Sequence, residues 1–424
     1  MQLFTPPQTL PLKPHSLLGR TFVLLTGHLS VVVLQGLQFI MLARLLGAEE
    51  FGRVAAITAL VTIATPLAGF GYGNVLLMHV SRNTALAPTY YANAVTTALG
   101  IGAVLVGILC VLNPLIYGSD ASVWLVLCMA ASELMAVRVC AVSSQLYQAI
   151  DKVRYTSLVN TAVSLCRLAG ITPLLFMAQP SASVWALSAA LMTTGLACTV
   201  VYFSIRQAGG FHPNLSQAWQ QRTESTHFTL GTLAKAAYTD LDKVMLGIFH
   251  SPAVLGAYSS AYRLVVMAFM PVRALLDGVA SRFFKVGEQG SRSTFDLALR
   301  LIKFALPYSA LVGIALYLMA PYLPWVLGPS YASAVPALQA LCVLPAIQAV
   351  HYVFSDALTG AGLQKLRTQL QFIALAAYAV LGLLLVPQYG WHGAAWTCIA
   401  SESLLAFMVV GAARLKAVDR KATP

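Results

Sequence analysis

The stretch Leu241–Val265, LDKVMLGIFHSPAVLGAYSSAYRLV, carries Asp242, Lys243 and Arg263 inside two runs that are otherwise apolar, and Lys235 and Asp240 lie just ahead of it. Ionised groups placed this way have three uses. They neutralise one another, they grip an ion of opposite sign, or they carry a proton. Lys235 and Asp242 are seven positions apart and Asp240 and Lys243 three apart, so on a helix each pair shares a face. Arg263 can reach either a phosphate or one of these carboxylates, and its planar fork suits both. Bond-making chemistry has no comparable support. The seven cysteines sit inside apolar runs without CxxC spacing and read as small buried hydrophobes. The eight histidines form no HxxxH or HExxH pattern, and no Walker A motif occurs. We therefore expect no enzyme activity, no metal site and no resident cofactor, with coupling to Na+ or H+ left open.

What those ions cost depends on the solvent around them. Hydrophobic residues make up 58% of the 424 residues and charged residues 9%, at a mean hydropathy of +0.75. A soluble domain carries roughly 25% charged residues, so this chain has too few to cover a water-facing surface. It reads as an all-α polytopic membrane protein. Twelve apolar runs near the length of a bilayer span occur, and they are too long and continuous for the alternating strands of a β-barrel. The Pro-rich start, MQLFTPPQTLPLKPHSLLGR, has no short apolar core with a small-residue cleavage site and reads as a tail.

Lys and Arg residues orient the runs. Seventeen of the 26 fall on the tails and every second connection, whereas Arg44 and Arg53 alone fall on the opposite side. That asymmetry places both termini in the cytoplasm. The formal net charge of +12 is then a topology signal that also attracts anionic lipid headgroups, and no nucleic-acid partner is expected. Shifted by 204 residues, LQFIMLARLLGAEEFGRVAAITALV lies on the opening stretch without a gap, with Gly52 on Gly256 and Met41 on Met245. Two halves of six helices that face the same way follow, related by an axis along the membrane normal. The expected organisation is a tail at 1–20, a six-helix bundle at 21–205, a linker at 206–229, a second six-helix bundle at 230–413 and a tail at 414–424. A central cavity separates the bundles.

Two segments carry a resemblance. ARLLGAEEFGRVAAITALVTIATPLAGFGYGNVLLM resembles the first hairpin, and YTDLDKVMLGIFHSPAVLGAYSSAYRLV the seventh and eighth helices, of the polysaccharide transporter (O-antigen flippase) branch of the multidrug/oligosaccharidyl-lipid/polysaccharide flippase superfamily. The resemblance implies a flippase of the bacterial inner membrane. It would translocate a polyprenyl-pyrophosphate-linked oligosaccharide, an O-antigen or exopolysaccharide repeat unit, by alternating access, with polysaccharide polymerase machinery as a possible partner. A cation-coupled multidrug exporter and a lipid-linked peptidoglycan precursor flippase are the alternatives in the same superfamily. It also implies that helices 1, 2, 7 and 8 border the cavity, which makes Lys235, Asp240, Asp242 and Arg263 candidate substrate-binding residues.

Depth supports that placement. Counted from Thr229, Asp240 lies about 16 Å along its helix at about 1.5 Å per residue, near mid-bilayer. An ion at that depth costs several kcal/mol unless it faces water or a partner. Ion pairing that fixes helix packing, with Lys243 snorkelling outward, remains the competing reading. In the repeat register Lys235 falls on Val31 and Arg263 on Ala59, so the first hairpin has no equivalent charges. Arg53 is a candidate at the outer mouth, although Glu49 and Glu50 stand beside it. Inside the first half lie Glu133, Arg138 and Arg167, the first two at a poor same-face spacing that sends each to a partner elsewhere. Glu402 in the last run is a candidate ion-coupling residue, with a hydrogen-bonded packing carboxyl as the other reading.

Overall fold

Gly47 decides how the N-terminal stretch is laid out. The computed structural model describes residues 14–118 and 122–419, so most of the expected N-terminal tail and the last five residues lie outside the described residues. Helix α1 runs Pro14–Gly69 and breaks at Gly47, where φ is 73° and ψ 174°. A Cβ makes that conformation costly, and glycine has none. Phe39 and Phe51 meet with ring centroids 5.6 Å apart, whereas twelve residues of straight helix span about 18 Å. The chain therefore doubles back, and α1 is a hairpin with arms at 26–46 and 48–69. After a second break at Phe70 and Gly71, with φ of 38° and 67°, α2 (Tyr72–Val80) continues the second arm.

The rest is a succession of antiparallel helices: α3 (Ala87–Tyr117), α4 (Val123–Ala149), α5 (Val153–Ala169), α6 (Ala182–Ala208), α7 (Arg222–Phe249) and α8 (Pro252–Gly287). They are followed by α9 (Ser291–Met319), α10 (Ala334–Gly360), α11 (Gln364–Tyr389) and α12 (Trp391–Asp419). Among the described residues there is no strand, and ten helices are long and apolar enough to cross a membrane. The expectation of twelve spans differs from that count in two places. The α1 hairpin stands once in that count although its two arms run in opposite directions, and α7 carries Lys235, Asp240, Asp242 and Lys243 within its apolar part.

Much of the stretch expected as linker, 206–229, is helical. Helix α6 ends at Ala208 on Gly209, whose φ of 87° closes the helix, and α7 already begins at Arg222. Apolarity marks only the part of a helix inside the bilayer, so the polar RTESTHF start of α7 was not readable as helix. Between them a short helix, Leu215–Gln220, is fastened to the first half. Tyr72 Oη donates to the Ala218 carbonyl at 2.7 Å, and the Asn214 N–H donates to Asn93 Oδ1 at 2.6 Å.

The molecule thus has a linker end and an opposite turn end, where the Gly47 and His250 reversals lie. At the turn end α1 crosses α8 with the backbones in contact. A Cβ on Gly52 would collide with the Pro252 carbonyl oxygen, and a Cβ on Gly256 would collide with that of Ala48. Residue 48 plus 204 is 252, and 52 plus 204 is 256. The contact is therefore reciprocal in the register of the sequence repeat, as expected across a twofold axis. Ser330 and Tyr331, between α9 and α10, brace the hairpin: Ser330 Oγ accepts from the Ala48 N–H at 3.2 Å and Tyr331 Oη donates to the Ala43 carbonyl at 3.2 Å.

Core packing follows the same division. At the turn end one apolar cluster joins both halves, from Phe39, Phe51 and Trp185 to Tyr258, Leu338 and Tyr378. At the linker end the cores are separate. Tyr72, Tyr91 and Leu146 pack in the first half, and Phe269, Phe283 and Val353 in the second. Valine at position 52 should overpack the crossing and destabilise the protein by about 1–3 kcal/mol, and Gly256→Val should do likewise. Both collide at one crossing, so the double variant should lose less than the sum. Thermal unfolding of the purified protein in detergent, read by size-exclusion chromatography, tests this; additive losses would show the two contacts to be independent.

Candidate functional site

Beyond the crossing, toward the middle of the molecule, the two halves part around a cavity of about 400 Å³. Both arms of α1 and helices α4 to α8 line it. Arg263, on α8, lines this cavity. Its guanidinium carbon stands 5.3 Å from the centroid of the Phe39 ring, and among the described residues it makes no hydrogen bond or ion pair. Arg167, from α5 of the other half, lines the same cavity close enough for the two positive charges to interact. Arg167 is held by Glu133 of α4. Glu133 and Arg167 were not chosen as site residues from sequence, although an acid and a base buried in neighbouring spans were a usable signal. Glu133 also sits in a π-helical turn, Ser132–Val137, interrupting α4 beside the cavity. Such turns occur often at functional sites.

The carboxylates do not go to Arg263. Lys243 Nζ lies 3.1 Å from Asp240 Oδ1 and 3.3 Å from Asp242 Oδ1, and it donates to the Thr239 carbonyl at 2.7 Å. Tyr258 Oη donates to Asp242 Oδ2 at 2.6 Å. Lys243 also sits 3.9 Å from the centroid of the Tyr262 ring. Asp242 is fully buried and is not on the wall of the central cavity, while Asp240 and Lys243 are. Lys243 therefore turns inward, contrary to the snorkelling alternative, because two carboxylates and a ring face hold it. Five aromatic and ionic groups on α7 and α8 make one closed knot.

The other candidates lie elsewhere. Lys235 faces a second cavity of about 600 Å³ enclosed by α7, α8, α10, α11 and α12 in the second half. Helical spacing put Lys235 and Asp242 on one face, but it could not tell which neighbour that face meets. Glu402 borders this second cavity too, and its Oε2 is 3.0 Å from His351 Nδ1 with both side chains nearly inaccessible. Arg53 is at the turn end, paired with Glu50 and with Glu49 at 3.0 Å, on a separate pocket beside His250 and Pro252. Asp277, four residues beyond Arg273 on α8, has a side chain outside the described residues. Among the described residues no group of three or more His, Cys, Asp or Glu side chains is placed to hold a metal ion.

A family described as "Polysaccharide biosynthesis protein" matches residues 17–280. No curated protein matches the chain. Among solved structures, the fold is similar to an inward-facing multidrug resistance MATE family transporter of the MOP superfamily, at 14% identity and a TM-score of 0.77 over 93% of this chain and 96% of that one. An outward-facing transporter of the same description gives a TM-score of 0.59 at 14% identity, over 93% and 97%. The lipid II flippase MurJ, inward closed, gives 0.72 at 10% identity over 94% and 87%. The fold is that of the MATE and MurJ transporters.

The knot around Lys243 generates its own prediction. Lys243→Met strands the buried Asp242 carboxylate and the half-buried one of Asp240, and breaking a buried pair by removing one partner costs about 3–5 kcal/mol. The membrane-embedded yield of Lys243→Met should fall sharply, and Asp240→Asn with Asp242→Asn in the same chain should recover it. Fluorescence-detected size-exclusion chromatography of tagged protein measures both. Wild-type yield in Lys243→Met alone would show the knot to be dispensable for folding.

Proposed function

The chain belongs to the polysaccharide biosynthesis protein family, and we propose that it is a flippase for a polyprenyl-pyrophosphate-linked oligosaccharide. The observation that carries this reading is Arg263: an arginine in a cavity between the two halves, with Arg167 near it and no protein carboxylate bound to it. An arginine left that way has its fork available for pyrophosphate oxygens. The hydroxyls and amides around it, among them Gln38, Thr58, Thr62 and Ser259, suit dispersed contacts to sugars. Three bases against two acids on the cavity wall make it a poor trap for organic cations, which counts against the exporter alternative. A MurJ-like fold supports a lipid-linked cargo and keeps the peptidoglycan precursor as the alternative of the same chemical class.

In this reading the linker end, where the basic residues gather, faces the cytoplasm of a bacterial inner membrane. The chain then crosses twelve times, α1 contributing two passes and α7 one, in two six-helix bundles. The joined core at the turn end and the separate cores at the linker end correspond to an inward-facing state. The headgroup enters from the linker end while the tail stays in lipid, and rocking about the linker carries it across. Delivery to a polymerase outside removes the product.

Coupling belongs to Glu402. His351 occupies the position beside its carboxylate where a cation would bind, and an imidazole itself takes up a proton, so H+ fits better than Na+. Neutral glutamine in Glu402→Gln should lower delivery and abolish its dependence on an imposed proton gradient in vesicles; retained dependence would remove Glu402 from coupling.

Arg263→Ala should stay inserted at wild-type abundance and lose at least about tenfold in delivery, the scale of a charge-assisted bond. Arg263→Lys should keep part of it, since a point charge still binds phosphate. Surface polysaccharide per molecule of membrane-embedded protein is the measurement. Normal delivery per molecule in Arg263→Ala would overturn the phosphate role.

A further inference from the structure

The second cavity, inside the C-terminal half, is more basic than the central one. Its wall carries Lys235 from α7, Arg273 from α8 and Arg367 from α11, against Glu402 alone among the described acids. Glu402 is already occupied by His351. Only Thr239, Tyr262 and Val266 line both cavities, so the two are neighbours across a thin partition.

Several polar atoms around this cavity are buried without a hydrogen-bond partner: Arg367 Nε, Tyr238 Oη and His351 Nε2. Leaving such groups unmade is expensive, and a cluster of them calls for a ligand or water. Two of the three are donors, an N–H and an O–H, and they want acceptor oxygens. The cations are already aimed. Arg273 stacks on Tyr352 with its guanidinium carbon 4.6 Å from the ring centroid, and Arg367 donates to Thr359 Oγ1 at 2.6 Å while Asp356 stands 3.9 Å away. Arg367 is thereby oriented by side chains outside the space it faces, and Arg273 by a ring on the cavity wall.

The rim adds a second requirement. Phe228, Met270 and Phe372 line the same cavity and are exposed large apolar side chains. In a bilayer those side chains meet acyl or prenyl chains. A ligand satisfying both ends has an anionic, oxygen-rich head and an apolar tail.

We propose that the cavity between α7, α8, α10, α11 and α12 is a second, separate binding site for the phosphate-bearing head of an amphiphile, held by Lys235, Arg273 and Arg367 with its tail leaving past Phe228, Met270 and Phe372. The shared chemistry is a phosphate or pyrophosphate group on a lipid. The site stands whether or not the central cavity moves an oligosaccharide, because nothing in it depends on Arg263.

Binding to the purified full-length protein in detergent tests it, with four probes: inorganic pyrophosphate, farnesyl pyrophosphate, dioctanoylphosphatidylglycerol and, as the zwitterionic control, dioctanoylphosphatidylcholine. Wild type should bind at least one anionic amphiphile more tightly than inorganic pyrophosphate and more tightly than the control. The Arg273→Gln/Arg367→Gln double variant should weaken that binding by about tenfold or more, two charge-assisted contacts being lost. Tightest binding of the farnesyl probe identifies an isoprenoid carrier as the source, and tightest binding of phosphatidylglycerol identifies a bulk anionic phospholipid. If the double variant does not fold, Lys235→Gln, whose side chain is exposed, should still weaken binding several-fold. Wild-type affinity in either variant overturns the proposal, and so does failure of every probe to bind wild type. Loss in Arg263→Gln with retention in the double variant also overturns it, because the probe then sits in the central cavity.

Discussion

Two helices can touch backbone to backbone only where neither has a side chain in the way. Gly52 and Gly256 supply that condition once in each half, and the remaining architecture hangs from the crossing they permit. It brings the Gly47 hairpin under Ser330 and Tyr331, and it closes one apolar core around residues of both halves. It also fixes where the central cavity begins. Ala59 and Arg263 each lie seven residues beyond their glycine, about 10 Å down the helix. The contact above is reciprocal in the repeat, but the wall below pairs an alanine with an arginine. A symmetric scaffold thus carries an asymmetric site.

Charge in a low-dielectric bundle is tolerable where it is compensated, and this chain compensates most of it locally. Lys243 is shared by Asp240 and Asp242, with Tyr258 completing the second carboxylate. Arg167 is matched by Glu133, and Glu402 by His351. Against that background Arg263 is the exception in the central cavity: its guanidinium packs on the Phe39 ring and makes no ion pair among the described residues, with Asp240 acting on it only at a distance. Compensation of the first kind stabilises a packing arrangement. An exception of the second kind lets the binding of an outside anion supply the missing counter-charge.

Much of this was readable from sequence, and the limits have physical causes. Apolar run lengths and the scarcity of charge carry the all-helical membrane class, and the 204-residue register set Gly52 on Gly256, two positions that meet in a reciprocal contact in the structure. Four ionised residues fall within RLLGAEEFGR, between two apolar runs, whereas only Gly47 leaves helical geometry inside α1. Hydropathy cannot distinguish a charged helical cap from a loop, so the helical character of the polar RTESTHF stretch came only from the structure. Facing of side chains within one helix followed from its period, so the Asp240–Lys243 pair was legible. Which helix receives a face was not. Lys235 met the C-terminal cavity, and the partner of Asp242 came from Tyr258 on the next helix. The π turn at Ser132–Val137 has no residue signature, since any sequence that makes an α-helix can make it.

The brace between Ala48 and Ser330 spans 282 positions of sequence, and that separation is also an interval of time. At about 5–20 residues per second of synthesis, Ser330 follows Ala48 out of the ribosome by roughly a quarter of a minute to a minute. For most of that interval the first hairpin waits without Pro252 or Gly256, and to its end without Tyr331, its two glycine-flanked arms lacking the surface they are shaped to meet. The N-terminal half is therefore inserted long before it is finished, and its last native contacts are made by helices not yet synthesised when its own have already left the ribosome.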